Sequence, residues 1–234
     1  MSNSVNVEIK LMGVFPVQKV ITELAELFHG EFGHNVTATF ATSGVIRQKL
    51  SSGEPTDIII LNGNEITELA DHGVVKGNTR ADIARFGLGV VVRQGSTLPH
   101  ISTADDLKKA FLAAKSIAYA DPLQARGGAH VMTILQQLGI AEAVKNKTVF
   151  SGGGSSTSEA VAKGEAEIGV TGMSKSIIVE GTIVAGPLPN ELQKFMSLSA
   201  CVTTQSIVPE AASAFITFLG RPSFRSRFAE EGLA

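Results

Sequence analysis

The chain has 234 residues, 20 Lys and Arg against 22 Asp and Glu, a formal net charge of -2 and a pI near 6.2. With 18% charged residues and no basic excess it is not a nucleic-acid binder that works by neutralising phosphates, and no run approaches the ~20 apolar residues of a membrane span. Cys201 is the only cysteine, which excludes an internal disulfide and a cysteine-rich zinc site, and the length is enough to bury a core without either.

In chain order, Val5 to Met12 alternates like a strand, and Gly13-Val14-Phe15 reads as the turn after it. Pro16 suits a first helical turn, and Val20, Leu24, Leu27 and Phe28 recur at helical spacing until Gly30 and Gly33. Val36 to Phe40 is a second strand, followed by Thr42-Ser43-Gly44 and a helix through Ile46 and Leu50. Asp57 to Leu61 is apolar after its first residue, as in a strand buried on both faces, and Asn62-Gly63-Asn64 opens a helix through Ile66 and Leu69. This alternation predicts a parallel sheet with right-handed crossovers.

The second half repeats the grammar. Leu88 to Val92 is a strand, and Thr103 with Asp106 forms a capping-box variant ahead of Leu107 and Phe111. Ile117 to Ala120 is a strand, and Asp121 to Gly128 is a glycine-containing loop into a helix that Gly139 ends. Thr148 to Phe150 and Ile168 to Val170 are short strands around a polar turn, Ser151 to Ser158, and Thr171-Gly172-Met173 follows as a loop. Phe195 to Thr203 is extended, and helices cover Glu210 to Leu219 and Ser223 to Glu231. The expected fold class is α/β with two lobes, each a mostly parallel sheet flanked by helices, and a ligand cleft between them. Lobe 1 spans residues 1–84 plus 198–234 and lobe 2 spans 85–197, with crossings near 80–90 and 186–200.

In open parallel sheets ligands collect at the carboxyl ends of strands. The loops there are rich in glycine, hydroxyls and amides, and they precede helices whose N-termini favour anions. The candidate ligand-binding residues are Gly13, Val14 and Phe15; Thr42, Ser43 and Gly44; Asn62; Gly127 and Gly128; Ser155; and Thr171. Arg85 and Arg126 suit carboxylates by bidentate pairing, with Arg47 a weaker candidate. The same glycines also serve as plain turn punctuation, and each Arg as a solvated surface residue.

Other chemistries find no support. Gly152-Gly153-Gly154-Ser155-Ser156 lacks the Lys of a phosphate-binding loop, and no Gly-x-Ser-x-Gly elbow occurs. The five His residues form no metal-ligand motif, and Gly87-Leu88-Gly89 is not followed by a helix signal, against a dinucleotide fingerprint. No metal and no cofactor are expected.

The segment Thr42-Ser43-Gly44-Val45-Ile46-Arg47-Gln48, with Gly53-Glu54-Pro55-Thr56-Asp57 leading into a strand, resembles the molybdate-type extracellular solute-binding proteins. The likeness continues through Ile117 to Pro122, Gly164 to Val170 and the C-terminal helices, nearly the whole chain. It implies a two-lobed, hinged, monomeric receptor for a small anion that passes its cargo to an ABC-transporter membrane component if secreted. Of the family's oxyanion-holding positions, the Ser43 hydroxyl is retained. The first-loop hydroxyl is replaced by Gly13-Val14-Phe15, and the late Tyr by Thr171-Gly172. These departures favour a carboxylate over molybdate.

The same divergent branch resembles aconitate isomerase, which implies the alternative of an enzyme moving a double bond in a small polycarboxylate. His130 is then the candidate base, with Asp121 and Tyr119 behind it; as a binding protein, the chain needs no such base and His130 is structural. Met1 to Lys10 has no cationic start, apolar run or cleavage site. The expected location is therefore periplasmic if Met1 was added to a mature N-terminus, and cytoplasmic otherwise.

Overall fold

A computed structural model describes residues 6–233. The chain divides into two compact units, Met1–Arg85 with Met196–Ala234, and Phe86–Phe195. No helix among the described residues is long and apolar enough to cross a membrane.

The first unit opens with β1 (Glu8–Val14) and α1 (Gln18–Phe32), joined by a single 3-10 turn at Phe15–Val17. β2 (Asn35–Ala41), α2 (Ser43–Ser51), β3 (Ile58–Asn62), α3 (Gly63–Asp71) and β4 (Ala81–Phe86) follow. The second unit contains β5 (Leu88–Arg93), α4 (Ala104–Ala113), β6 (Ile117–Ala120), α5 (Arg126–Gln137), α6 (Ala141–Val144), β7 (Thr148–Ser151), α7 (Ser156–Lys163), β8 (Ile168–Gly172) and β9 (Thr182–Pro187). The chain then returns to the first unit with β10 (Met196–Val202), α8 (Pro209–Leu219) and α9 (Arg225–Glu230).

Each unit is a five-stranded sheet with helices, and the two sheets share one plan. Their strand orders are β2-β1-β3-β10-β4 and β7-β6-β8-β5-β9. In the first, β1 pairs parallel with β2 and β3, and β10 runs antiparallel to β3. In the second, β6 pairs parallel with β7 and β8, and β5 runs antiparallel to β8. Three parallel strands force helical crossovers, which is why the central strands are buried: Ile58, Ile59, Ile60 and Leu61 are all fully enclosed. On the first sheet, α1 and α8 bury a cluster in which Phe28 meets Phe215 and Phe218 edge-on at 5.0 and 5.3 Å. Buried Asp57 ties the start of β3 to its neighbours, accepting from Lys10 N–H at 2.8 Å and from the Ser206 hydroxyl at 2.7 Å.

Several local expectations are corrected. Gly13 and Val14 are not a turn but the last two residues of β1, opposite Phe40 and Ala41 of β2. Gly13 is demanded by packing, since a Cβ there would lie 3.2 Å from the Phe40 ring. Gly30 sits inside α1, which ends only at Gly33 in the left-handed conformation, and Leu27 faces outward, 43% exposed. Gly63 belongs to α3, and Arg126, Gly127 and Gly128 to the first turn of α5 rather than to a loop. Thr171 and Gly172 end β8 and are buried. β4 and β9, each at one edge of its sheet, were not anticipated. The expected strand start at Val5 and the N-terminal residues Met1 to Ser4 lie outside the described residues. The Thr103 cap forms as expected, accepting from Asp106 N–H at 3.2 Å.

Candidate functional site

In the first unit the carboxyl ends of β2 and β3 feed directly into α2 and α3. Thr42 occupies the N-cap of α2 and Ser43 is its first residue, so Ser43 does not cap the helix. Its hydroxyl instead donates to Glu65 Oε2 at 3.1 Å. Asn62, the last residue of β3 and the N-cap of α3, makes no capping bond with its side chain and donates from Nδ2 to the same Glu65 oxygen at 2.8 Å. Glu65 lies in the first turn of α3, where a carboxylate is favoured by the helix dipole, and is only 5% exposed. A carboxylate only accepts, so this bond fixes the Asn62 amide with its oxygen pointing away. Asn62 Oδ1 is buried there with no hydrogen-bond partner among the described residues. Sequence reading singled out Ser43 and Asn62 and overlooked Glu65, although Asn62-Gly63-Asn64-Glu65 has the spacing of a capping box.

Phe15 begins the 3-10 turn after β1, whose residues Phe15-Pro16-Val17 carry no hydroxyl. Gly44 is exposed in the first turn of α2. Arg85 is an exposed residue near the end of β4. Arg47 pairs with Glu68 at 3.0 Å on the outer face of α2.

In the second unit β6 runs through Asp121 into α5. Asp121 serves the turn: Oδ1 accepts from Leu123 N–H at 2.9 Å and Oδ2 from the Gln124 amide at 2.8 Å. Tyr119 is 1% exposed against Phe150, and burial pushes its phenol above the ordinary range, which leaves it protonated. Gly128 is required, because a Cβ would sit 1.9 Å from the Ala120 carbonyl oxygen. That contact brings the N-terminus of α5, with Arg126 exposed and Gly127 beside it, hard against the end of β6. His130 Nε2 is 2.8 Å from the Leu192 carbonyl. A carbonyl only accepts, so Nε2 carries a proton. Ser155 precedes α7, and its hydroxyl donates to Glu159 at 2.6 Å. Ser158 Oγ, in the first turn of α7, is buried without a partner among the described residues.

Both sheets therefore end in helix N-termini that direct backbone N–H groups outward, an arrangement suited to anions. No group of three His, Cys, Asp or Glu that could hold a metal occurs among the described residues. Cys201 is buried, and burial raises its thiol above the ordinary range.

The family model for the bacterial extracellular solute-binding proteins matches residues 12–234. The chain belongs to this family. Among relatives, it is 28% identical over 195 residues to the aconitate isomerase of a Pseudomonas species, covering 82% of this chain and 72% of the relative. It is 26% identical over 211 residues to the molybdate-binding protein ModA of Azotobacter vinelandii, covering 86% and 79%. The solved structure of the periplasmic molybdate-binding protein of Azotobacter vinelandii superimposes with a TM-score of 0.81 at 18% identity, over 97% of this chain and 98% of that one, a likeness of fold. Molybdate-binding proteins and an aconitate isomerase thus stand among the relatives of this solute-binding protein.

Proposed function

We propose that this solute-binding protein takes a small carboxylate, in preference to molybdate, at its strand-end loops and serves an ABC transporter as the substrate-binding component. The observation that carries the reading is the state of the serines at these edges. Ser43 and Ser155, whose hydroxyls would be the donors for a tetrahedral oxyanion, both donate to carboxylates, Glu65 and Glu159. The turn after β1 supplies no hydroxyl in compensation. Backbone N–H groups at the starts of α2, α3, α5 and α7 support anion binding, with the Thr42 hydroxyl at the α2 N-cap and Arg85 and Arg126 as side-chain candidates. A planar carboxylate suits them.

Calorimetric titration with molybdate, tungstate, citrate and the aconitates tests this reading. Carboxylate binding with weak or absent molybdate binding is expected. Tight molybdate binding without a carboxylate response would overturn it.

A second reading, double-bond migration in a polycarboxylate, is favoured by the Pseudomonas relative and by His130, whose Nε2 is anchored on the Leu192 carbonyl. It requires a base that removes a proton from a methylene beside the double bond and returns one to the other allylic carbon. Proton NMR of trans-aconitate with the protein in deuterated water decides it. Conversion to the cis isomer, lost on His130→Ala, supports the enzyme; stoichiometric binding without exchange leaves a binding protein.

A further inference from the structure

We infer that Glu65 selects ligands that bring a hydrogen-bond donor of their own, so that the solute is a hydroxycarboxylate and not a fully deprotonated oxyanion. The inference rests on the carboxylate reading above and narrows it.

Three groups on the first unit converge through one oxygen. Glu65 Oε2 receives the Ser43 hydroxyl at 3.1 Å and the Asn62 amide at 2.8 Å. The Ser43 hydroxyl proton is thereby spent and the Asn62 amide keeps one N–H, so the acceptors of the cluster are the Glu65 carboxylate and the Asn62 carbonyl oxygen. Ser43 Oγ keeps its lone pairs, Asn62 Oδ1 is buried with no partner, and Glu65 Oε1 receives no hydrogen bond among the described residues. Glu65 itself is 5% exposed, so this acceptor set is held by packing and not by a mobile surface acid. A buried acceptor left unmatched, as Asn62 Oδ1 is, is costly, and a ligand O–H placed beside it and Glu65 relieves that cost.

The rejected class follows from the same chemistry. Molybdate and sulfate as dianions carry no proton to give, and their oxygens would face the Glu65 carboxylate and the Asn62 amide oxygen, where like charges repel. A hydroxy acid divides its groups differently. Its carboxylates go to backbone N–H groups at the helix starts, and its hydroxyl donates to Glu65. A site built to bond a hydroxyl discriminates strongly against the analogue that lacks it.

The test is titration calorimetry of the intact protein and of Glu65→Gln with four probes: citrate, tricarballylate (the same skeleton without the hydroxyl), sulfate and molybdate. The wild type is expected to bind citrate about tenfold or more tighter than tricarballylate, the range of one hydrogen bond to a charged group. Glu65→Gln puts an amide donor in the same space; it should bring citrate and tricarballylate within about threefold of each other and raise sulfate or molybdate affinity. Equal wild-type affinities for citrate and tricarballylate would overturn the inference while leaving carboxylate binding intact. Preference for citrate retained in a folded Glu65→Gln would overturn the role of Glu65 in the same way. A wild type that binds molybdate and neither carboxylate would overturn both this inference and the reading beneath it. The wild-type comparison stands even if the variant does not fold.

Discussion

The two units share a sheet plan but finish their strand ends by different means. In the first, side chains do the finishing: Ser43, Asn62 and Glu65, from three segments, meet at one carboxylate oxygen. In the second, backbone does it: Gly128 lets the start of α5 press against the Ala120 carbonyl, and Gly153 and Gly154, both at positive φ, shape the loop before α7. The first edge is thus rich in acceptors and tunable by single side chains, while the second is rigid and its N–H geometry depends on glycine.

Gly128→Ala breaks this comparison most severely. With a Cβ 1.9 Å from a carbonyl oxygen, the start of α5 must move, and a loss of about 3 kcal/mol or more is expected in urea unfolding. Gly44→Ala, in the first turn of α2, meets nothing within 4 Å. It should be neutral or gain up to about 0.5–1 kcal/mol of helix propensity, so the pair of variants separates the two edges directly. Ser43→Ala removes a partly buried hydrogen bond to Glu65 but no helix cap, and should cost about 1 kcal/mol by the same measurement.

The smallest effect concerns pH. The Ser199 hydroxyl and then Arg80 hold the Asp82 carboxyl below the ordinary carboxylate range. A folded pKa below the unfolded one means stability that is present above the unfolded value and lost as pH falls through the folded one. Asp82 is exposed, so water screens the pair, and Asp82→Asn should flatten the stability profile only slightly, and only at acid pH. Loss of stability near neutral pH in this variant would show that Asp82 does more than pair with Ser199 and Arg80.

What could be read from the sequence depended on burial. The continuous apolar run at Ile58–Leu61 and the segment Ile117–Ala120 identified buried parallel strands, because such strands are apolar on both faces. β4, with Ala81-Asp82-Ile83-Ala84-Arg85-Phe86, and β9 escaped notice because charged residues in the one and Gly186-Pro187 in the other interrupt the apolar pattern. Gly13 was misread as a turn because a glycine that makes room for a neighbouring ring looks the same in sequence as one that turns the chain. Glu65 was hidden for a related reason. A Glu in a first helical turn reads as a solvated partner of the dipole, and its burial is decided by Ser43, 22 residues earlier.

Backbone amide NMR during titration with citrate tests most directly the proposal that strand-end loops hold a small carboxylate. Shifts are expected at Ser43 and Gly44, at Gly63 to Glu65, and at Gly127-Gly128 and Ser155-Ser156. Shifts confined to other segments, or appearing with molybdate and not with citrate, would contradict it.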